Sequence, residues 1–412
     1  MKFRILQILV GLILLAACRK NEPVPILPDP GPEQKLEYVW SQYLRNDSTA
    51  VFLSIDPQLT SDDVLFSTSN GNSEVVKSFN KLTGKLNWEW SDNNYQRNYF
   101  SNENALLTGN ILFLCDKQTL YAIDALTGAS RWTYTWPWGQ GDVYIYTDGE
   151  YLYHRLNGSN PHYTGYPDAY IMRTPIEASP PQWDTVLIDK ADTHTKRFQA
   201  IDFFTNTHGD KMMIGVVGAF GISKNQNGKS NLFLYNLNQK SLEYYKDNAM
   251  PNGAMYNPLY LDQDRVYVLG GWAVHAFDLQ SGNEVWTYEH ASAGDPNSSF
   301  AFGDFTLYQD KVLVKNRDEK LVCLDASDGH IIWKTDNSGG ILNPGRIRAY
   351  NNKLFYCGSQ DVYIVNISTG EILFKESPPN GAGAESTIAI DKQNNLIFFG
   401  DGGTAYCAKI PE

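Results

Sequence analysis

The 412-residue chain carries a formal net charge of −12, which argues against a basic nucleic-acid-binding surface and against an anionic membrane surface as partner. Hydrophobic residues make up 42% and aromatics 13%, ample for a folded core and unlike a disordered chain. The cysteines Cys18, Cys115, Cys323, Cys357 and Cys407 form no CxxC and no adjacent pair, so their spacing declares neither a disulfide nor a thiolate metal site.

The first segment, residues 1–17, reads as an export signal. Lys2 and Arg4 supply a positive start, and Ile5 to Leu15 is an apolar run broken only by Gln7 and Gly11. A membrane-spanning helix needs roughly 20 apolar residues, so this run suits a cleaved signal. It ends in Leu15-Ala16-Ala17-Cys18, which resembles the bacterial lipobox; that resemblance implies acylation of Cys18 and a stable lipid anchor. Residues 18–36 follow as a tether bearing Pro23, Pro25, Pro28, Pro30 and Pro32, too poor in apolar residues to fold.

From residue 37 to 412 one unit recurs. Leu120-Tyr-Ala-Ile-Asp124 runs through Gly128 to Trp132. Val274-His-Ala-Phe-Asp278 runs through Gly282 to Trp286, and Leu321-Val-Cys-Leu-Asp325 through Gly329 to Trp333. Weaker copies are anchored at Asn80 and Asn366, and degenerate ones at Arg173 and Asn236. The spacing predicts about 40–50 residues per four-stranded propeller blade. Within a copy, an alternating apolar strand ends in Asp or Asn, whose side chain can bond the backbone ahead of it. The Gly permits positive φ at the hairpin tip, and the following strand offers a large ring to the neighbouring blade. Cys323 and Cys407 fall where other copies have Ala122 and Ala276, and read as small buried residues.

Thr404-Ala-Tyr-Cys-Ala-Lys409 supplies the third strand of an eighth copy, after which the chain ends. Tyr38-Val-Trp40-Ser-Gln-Tyr43 can supply its fourth. The fold expected is an all-β propeller of eight four-stranded blades, closed by N- and C-terminal strands in one blade; seven blades is the alternative, because two copies are degenerate.

The recurring D-x-x-T-G-x-x-x-W pattern resembles the PQQ-like, quinoprotein-type β-propeller repeat family over nearly all of the chain after Leu36. That family includes quinoprotein dehydrogenases and non-catalytic scaffolds. In length, lipobox and blade count the chain is similar to the propeller lipoproteins of the bacterial outer-membrane β-barrel assembly machine. The dehydrogenases of the family often carry adjacent cysteines beside the cofactor and Glu, Asn and Asp ligands for calcium; no residues here match them. No HExxH, GxSxG or P-loop element is present. The expectation is therefore a protein without catalytic residues, metal or cofactor.

Strand direction alternates within a blade, so the Thr-Gly turns lie on one face of the disc. The connections between second and third strands, and between blades, lie on the other. The insertion from Asn157 to Asp168, with His162, Tyr163 and Tyr166, belongs to that second face. So do the insertion from Gly218 to Ser230, with Phe220, the connection holding Trp136 and Trp138, and the turn bearing Trp272. Aromatics with polar neighbours suit a protein partner or sugar rings. The function expected is a non-catalytic lipoprotein scaffold of the bacterial outer membrane, periplasmic-facing or surface-exposed, holding an envelope protein on this face. A carbohydrate-binding lipoprotein is the alternative and a PQQ-dependent dehydrogenase the more distant one.

Overall fold

The computed structural model describes residues 35–44, 52–53, 56–69, 73–93, 105–116, 119–136, 144–156, 168–190, 194–221, 229–251, 259–270, 273–289, 304–315, 321–335, 346–358, 360–380, 387–401 and 403–412. The third strand of each copy, which carries the repeat anchor, is largely buried, as is the second strand beside it. The third strands are Glu74–Asn80, Thr119–Asp124, Ala169–Pro175, Lys229–Asn236, Ala273–Asp278, Leu321–Asp325, Val362–Asn366 and Thr404–Lys409. Each lies third in one of eight antiparallel sheets, giving an eight-bladed propeller. The two degenerate copies form complete blades, the third (Tyr144 to Asp189) and the fourth (His194 to Met250).

Blade 1 departs from the pattern, because its innermost strand is split into Phe52–Leu53 and Gln58–Leu59, both paired with Asp63–Ser69. Blade 8 is closed as expected, with Tyr38–Tyr43 from the N-terminal part pairing antiparallel with Thr404–Lys409. Leu36, counted with the tether in the sequence, is buried with the core between blades 7 and 8, and its N–H donates to Glu376 at 2.6 Å. The rest of the signal and tether, Cys18 included, lies outside the described residues.

Among the described residues the buried apolar side chains form eight clusters, one at each interface between successive blades. A blade alone leaves two apolar faces open to water; stacking in a ring covers both. The repeat motif is the fastener. Asp124 Oδ1 accepts the Leu126 and Thr127 N–H groups at 3.1 and 3.0 Å, and Gly128 turns at φ +74°. The ring of Trp88, in the preceding blade, lies flat against that glycine, and its Nε1 donates to the Ala125 carbonyl at 3.2 Å. The same bond recurs from Trp40 to Lys81 at 2.8 Å, Trp286 to Ala326 at 3.0 Å and Trp333 to Ile367 at 2.8 Å. Tyr244 substitutes for tryptophan at the next position, its hydroxyl donating to the Leu279 carbonyl at 3.2 Å.

Cys323 pairs across the ladder with Trp333, and Cys407 with Trp40, as Ala122 does with Trp132 and Ala276 with Trp286. They are small residues under a large ring. Cys115, Cys323, Cys357 and Cys407 are all buried, and burial pushes the thiols of Cys323 and Cys407 up to about 12.

Candidate functional site

Strand order confirms that second-to-third and blade-to-blade connections share one face. The residues predicted to populate it fare differently. Trp138, His162, Tyr163, Tyr166 and Trp272 lie outside the described residues. Phe220 stands on the strand Lys211–Gly221, paired with Thr195, so the predicted insertion from Gly218 to Ser230 is shorter than expected. The reason is an extended hairpin in which Ala219 still pairs with Lys229.

Trp136 is a correction: it is only 3% exposed and belongs to the core between blades 2 and 3. Its ring stacks on His154 at 4.1 Å between centroids and meets Trp183 at 4.6 Å and Tyr134 edge-on at 4.9 Å. Blade 3 carries Arg173 at the repeat anchor and no glycine after it, so the usual ring-on-glycine contact is replaced by this aromatic cluster. His154 is fully buried; burial pushes its imidazole down to about 3, so the ring is neutral, and Nδ1 lies 3.3 Å from the Tyr144 carbonyl.

A second feature escapes sequence reading. Where the first strands converge on the axis, a cavity of about 300 Å³ is walled by residues of blades 1, 2, 3, 4, 5 and 7. Arg346 and Arg348 enter from blade 7, Asp56 from the split inner strand region of blade 1 and Asp202 from blade 4. Arg348 Nη2 lies 3.6 Å and Arg346 Nε 4.0 Å from Asp56 Oδ2. Among the described residues the only hydrogen-bond partner of the Asp202 carboxylate is the Phe203 N–H at 2.8 Å, and burial raises its pKa. Leu106, Ile145, Ile201 and Leu259 make the apolar part of the wall.

Behind the arginines, Asp304 is buried at 4% exposure and accepts the Ile347 N–H at 2.7 Å. Burial pushes it up to about 6, against the opposing pull of Arg346 and Arg348. Sequence spacing is blind to this convergence, since the residues come from blades far apart in the chain. The one local signal is an acid inside an apolar strand, Ala200-Ile-Asp202-Phe-Phe204.

The family model described as outer membrane protein assembly factor BamB matches residues 37–144 and 270–408, more than half of the chain. The chain belongs to the BamB-like propeller family. BamB from Moraxella catarrhalis superposes with a TM-score of 0.59 at 13% identity, covering 91% of this chain and 100% of that one. Sqt1 of Saccharomyces cerevisiae gives a TM-score of 0.65 at 11% identity, covering 90% and 98%. At these identities the likeness is one of fold. A quinohemoprotein alcohol dehydrogenase of Comamonas testosteroni is 24% identical over 192 residues, 43% of this chain but only 22% of that enzyme.

BamB-like membership brings an outer-membrane assembly context, and the dehydrogenase relative raises the question of a quinone cofactor. The axial cavity does not fit PQQ, a planar tricarboxylate. Asp56 and Asp202 offset Arg346 and Arg348, so the described wall has no surplus of positive charge for three carboxylates.

Proposed function

We propose that the protein is a non-catalytic, lipid-anchored scaffold of the bacterial outer membrane that holds an envelope protein on the face bearing its second-to-third and blade-to-blade connections. The carrying observation is the BamB-like family match along the propeller. The lipobox ending in Cys18 and the Pro-rich tether support anchoring. A ring in which every blade is fastened to the next by buried rings is rigid, and rigid frames carry recognition on their loops. The sequence concentrates Trp138, His162, Tyr163, Tyr166 and Trp272 in those connections.

Site-specific photocrosslinkers test this reading. They would be placed at Trp138, Tyr163 and Tyr166, and at Leu126 on the opposite turn face, in the full chain expressed in bacterial envelopes. Crosslinks from the first three positions to one identified outer-membrane assembly component, absent from Leu126, are expected. Equal crosslinking from both faces, or none from the loop positions, overturns the face assignment. Metabolic labelling with a fatty acid, lost in Cys18→Ala, checks the anchor separately.

A further inference from the structure

We propose that the axial cavity is a binding site for a small zwitterion of amino-acid to dipeptide size, with its ammonium on Asp202 and its carboxylate on Arg348. In an eight-bladed ring, blade 7 faces blade 3, and blade 4 is the next one round. Arg348 therefore stands across the axis from the wall that carries Asp202. Among the described residues the two are not paired: the Asp202 carboxylate bonds only the Phe203 N–H, and its upward pKa shift arises from burial with no cation among those residues opposing it. Arg348 lines the cavity and approaches Asp56 through Nη2 at 3.6 Å, and its guanidinium carries five donors in all.

The cavity thus presents a negative pole, a positive pole and an apolar waist in about 300 Å³, at the small end of the range for ligand pockets. A simple anion would meet Asp202 and Asp56. A simple cation would meet Arg346 and Arg348. A neutral sugar would leave both poles without a counter-charge. A molecule with separated opposite charges satisfies both poles with charge-assisted hydrogen bonds. The inference is independent of the scaffold reading, so loss of the protein partner would leave it standing.

Calorimetric titration of the full chain tests it with three probes. Glycyl-leucine carries both charges, N-acetyl-glycyl-leucine only the carboxylate, and glycyl-leucinamide only the ammonium; free alanine and leucine extend the zwitterion series. Saturable binding of glycyl-leucine is expected, with each blocked analogue weaker by about tenfold or more. Asp202→Asn is expected to remove the preference over the acetylated probe while keeping the preference over the amide; Arg348→Gln is expected to do the reverse. A variant that merely misfolds would lose both preferences together, and circular dichroism melts exclude that case. No binding of any zwitterion at millimolar concentration overturns the proposal, leaving a hydrated channel only. Discrimination unchanged in Asp202→Asn overturns it as well.

Discussion

Two glycines with the same backbone demand sit in opposite surroundings. Gly128 has φ +74°, and a Cβ there would stand 2.6 Å from Trp88 Cε3; Gly149 has φ +91° and nothing within 4 Å. Left-handed backbone costs an L-residue about 1–2 kcal/mol, and forcing a methyl into packed contact adds about 1–3 kcal/mol. Gly149→Ala should therefore show the smaller cost alone and Gly128→Ala both, read as the difference in their denaturant midpoints. Equal shifts would mean that the ring-on-glycine contact yields without cost. At the same scale two buried titratable groups pull against each other. His154 is held down to about 3 from 6.5, so between those values the unfolded chain binds a proton that the fold refuses, and stability falls as pH falls. Asp304 is held up to about 6 from 3.8, so in that window the fold binds the extra proton, and stability falls as pH rises. Between roughly pH 4 and 6 the two slopes, each about 1.4 kcal/mol per pH unit, cancel. Relative to the parent, His154→Phe should gain stability toward low pH across this window. Asp304→Asn should gain it toward pH 7. Unfolding midpoints taken at pH 4, 5, 6 and 7 check both signs.

At the scale of the blade, the third strand and its turn carried the message in the sequence. Each of the eight anchors, from Asn80 to Lys409, lies in a third strand, and where the anchor is Asp or Asn followed by Gly84, Gly128, Gly282 or Gly329 the turn meets a ring from the preceding blade. Arg173 and Asn236 were legible only as weak copies, since an aromatic cluster around Trp136 and a tyrosine at position 244 do the fastening there. Trp136 misled for a related reason: an aromatic just past a strand looks exposed unless the neighbouring blade's missing glycine is noticed. The axial wall was legible only as an acid, Asp202, inside an apolar strand, because the cavity-facing residues come from blades far apart in the chain and share no motif. The fastening has a direct consequence for closure. Trp40 contacts Gly84, Phe79 and Phe398 and donates to the Lys81 carbonyl, joining blade 8 to blade 1. Trp40→Ala and Trp286→Ala should each cost about 3–5 kcal/mol by lost burial and cavity formation. Only Trp40→Ala should also speed amide exchange in Tyr38–Tyr43, because that strand is held at one edge and by this ring. Hydrogen exchange followed by mass spectrometry of the segment separates the two variants.

For the whole molecule, the ring closes by hydrogen bonds between chain segments more than 300 residues apart rather than by a covalent link, with Trp40 paired to Cys407 and Tyr43 to Thr404. Lys81 and Asp391 add an ion pair at 3.0 Å between blades 1 and 8, both side chains 6% exposed. Without the strand Tyr38–Tyr43, blade 8 would end in the strand Thr404–Lys409 with its N–H and C=O groups bare, and the Trp40 socket at Gly84 would be empty. An open, apolar strand edge recruits another strand. Deletion of residues 1–44 should therefore convert a monomer into oligomers, seen by light scattering coupled to size exclusion. A peptide spanning Leu36 to Leu44, added in excess, should return it to monomer, because the peptide brings both the strand pairing and the ring. The same peptide with Trp40→Ala should fail, since backbone pairing without the ring leaves the socket unfilled. A deleted chain that stays monomeric with an unchanged melt would show that seven blades and a three-stranded eighth close the ring by themselves, and that Trp40 acts locally rather than as the clasp of the whole fold.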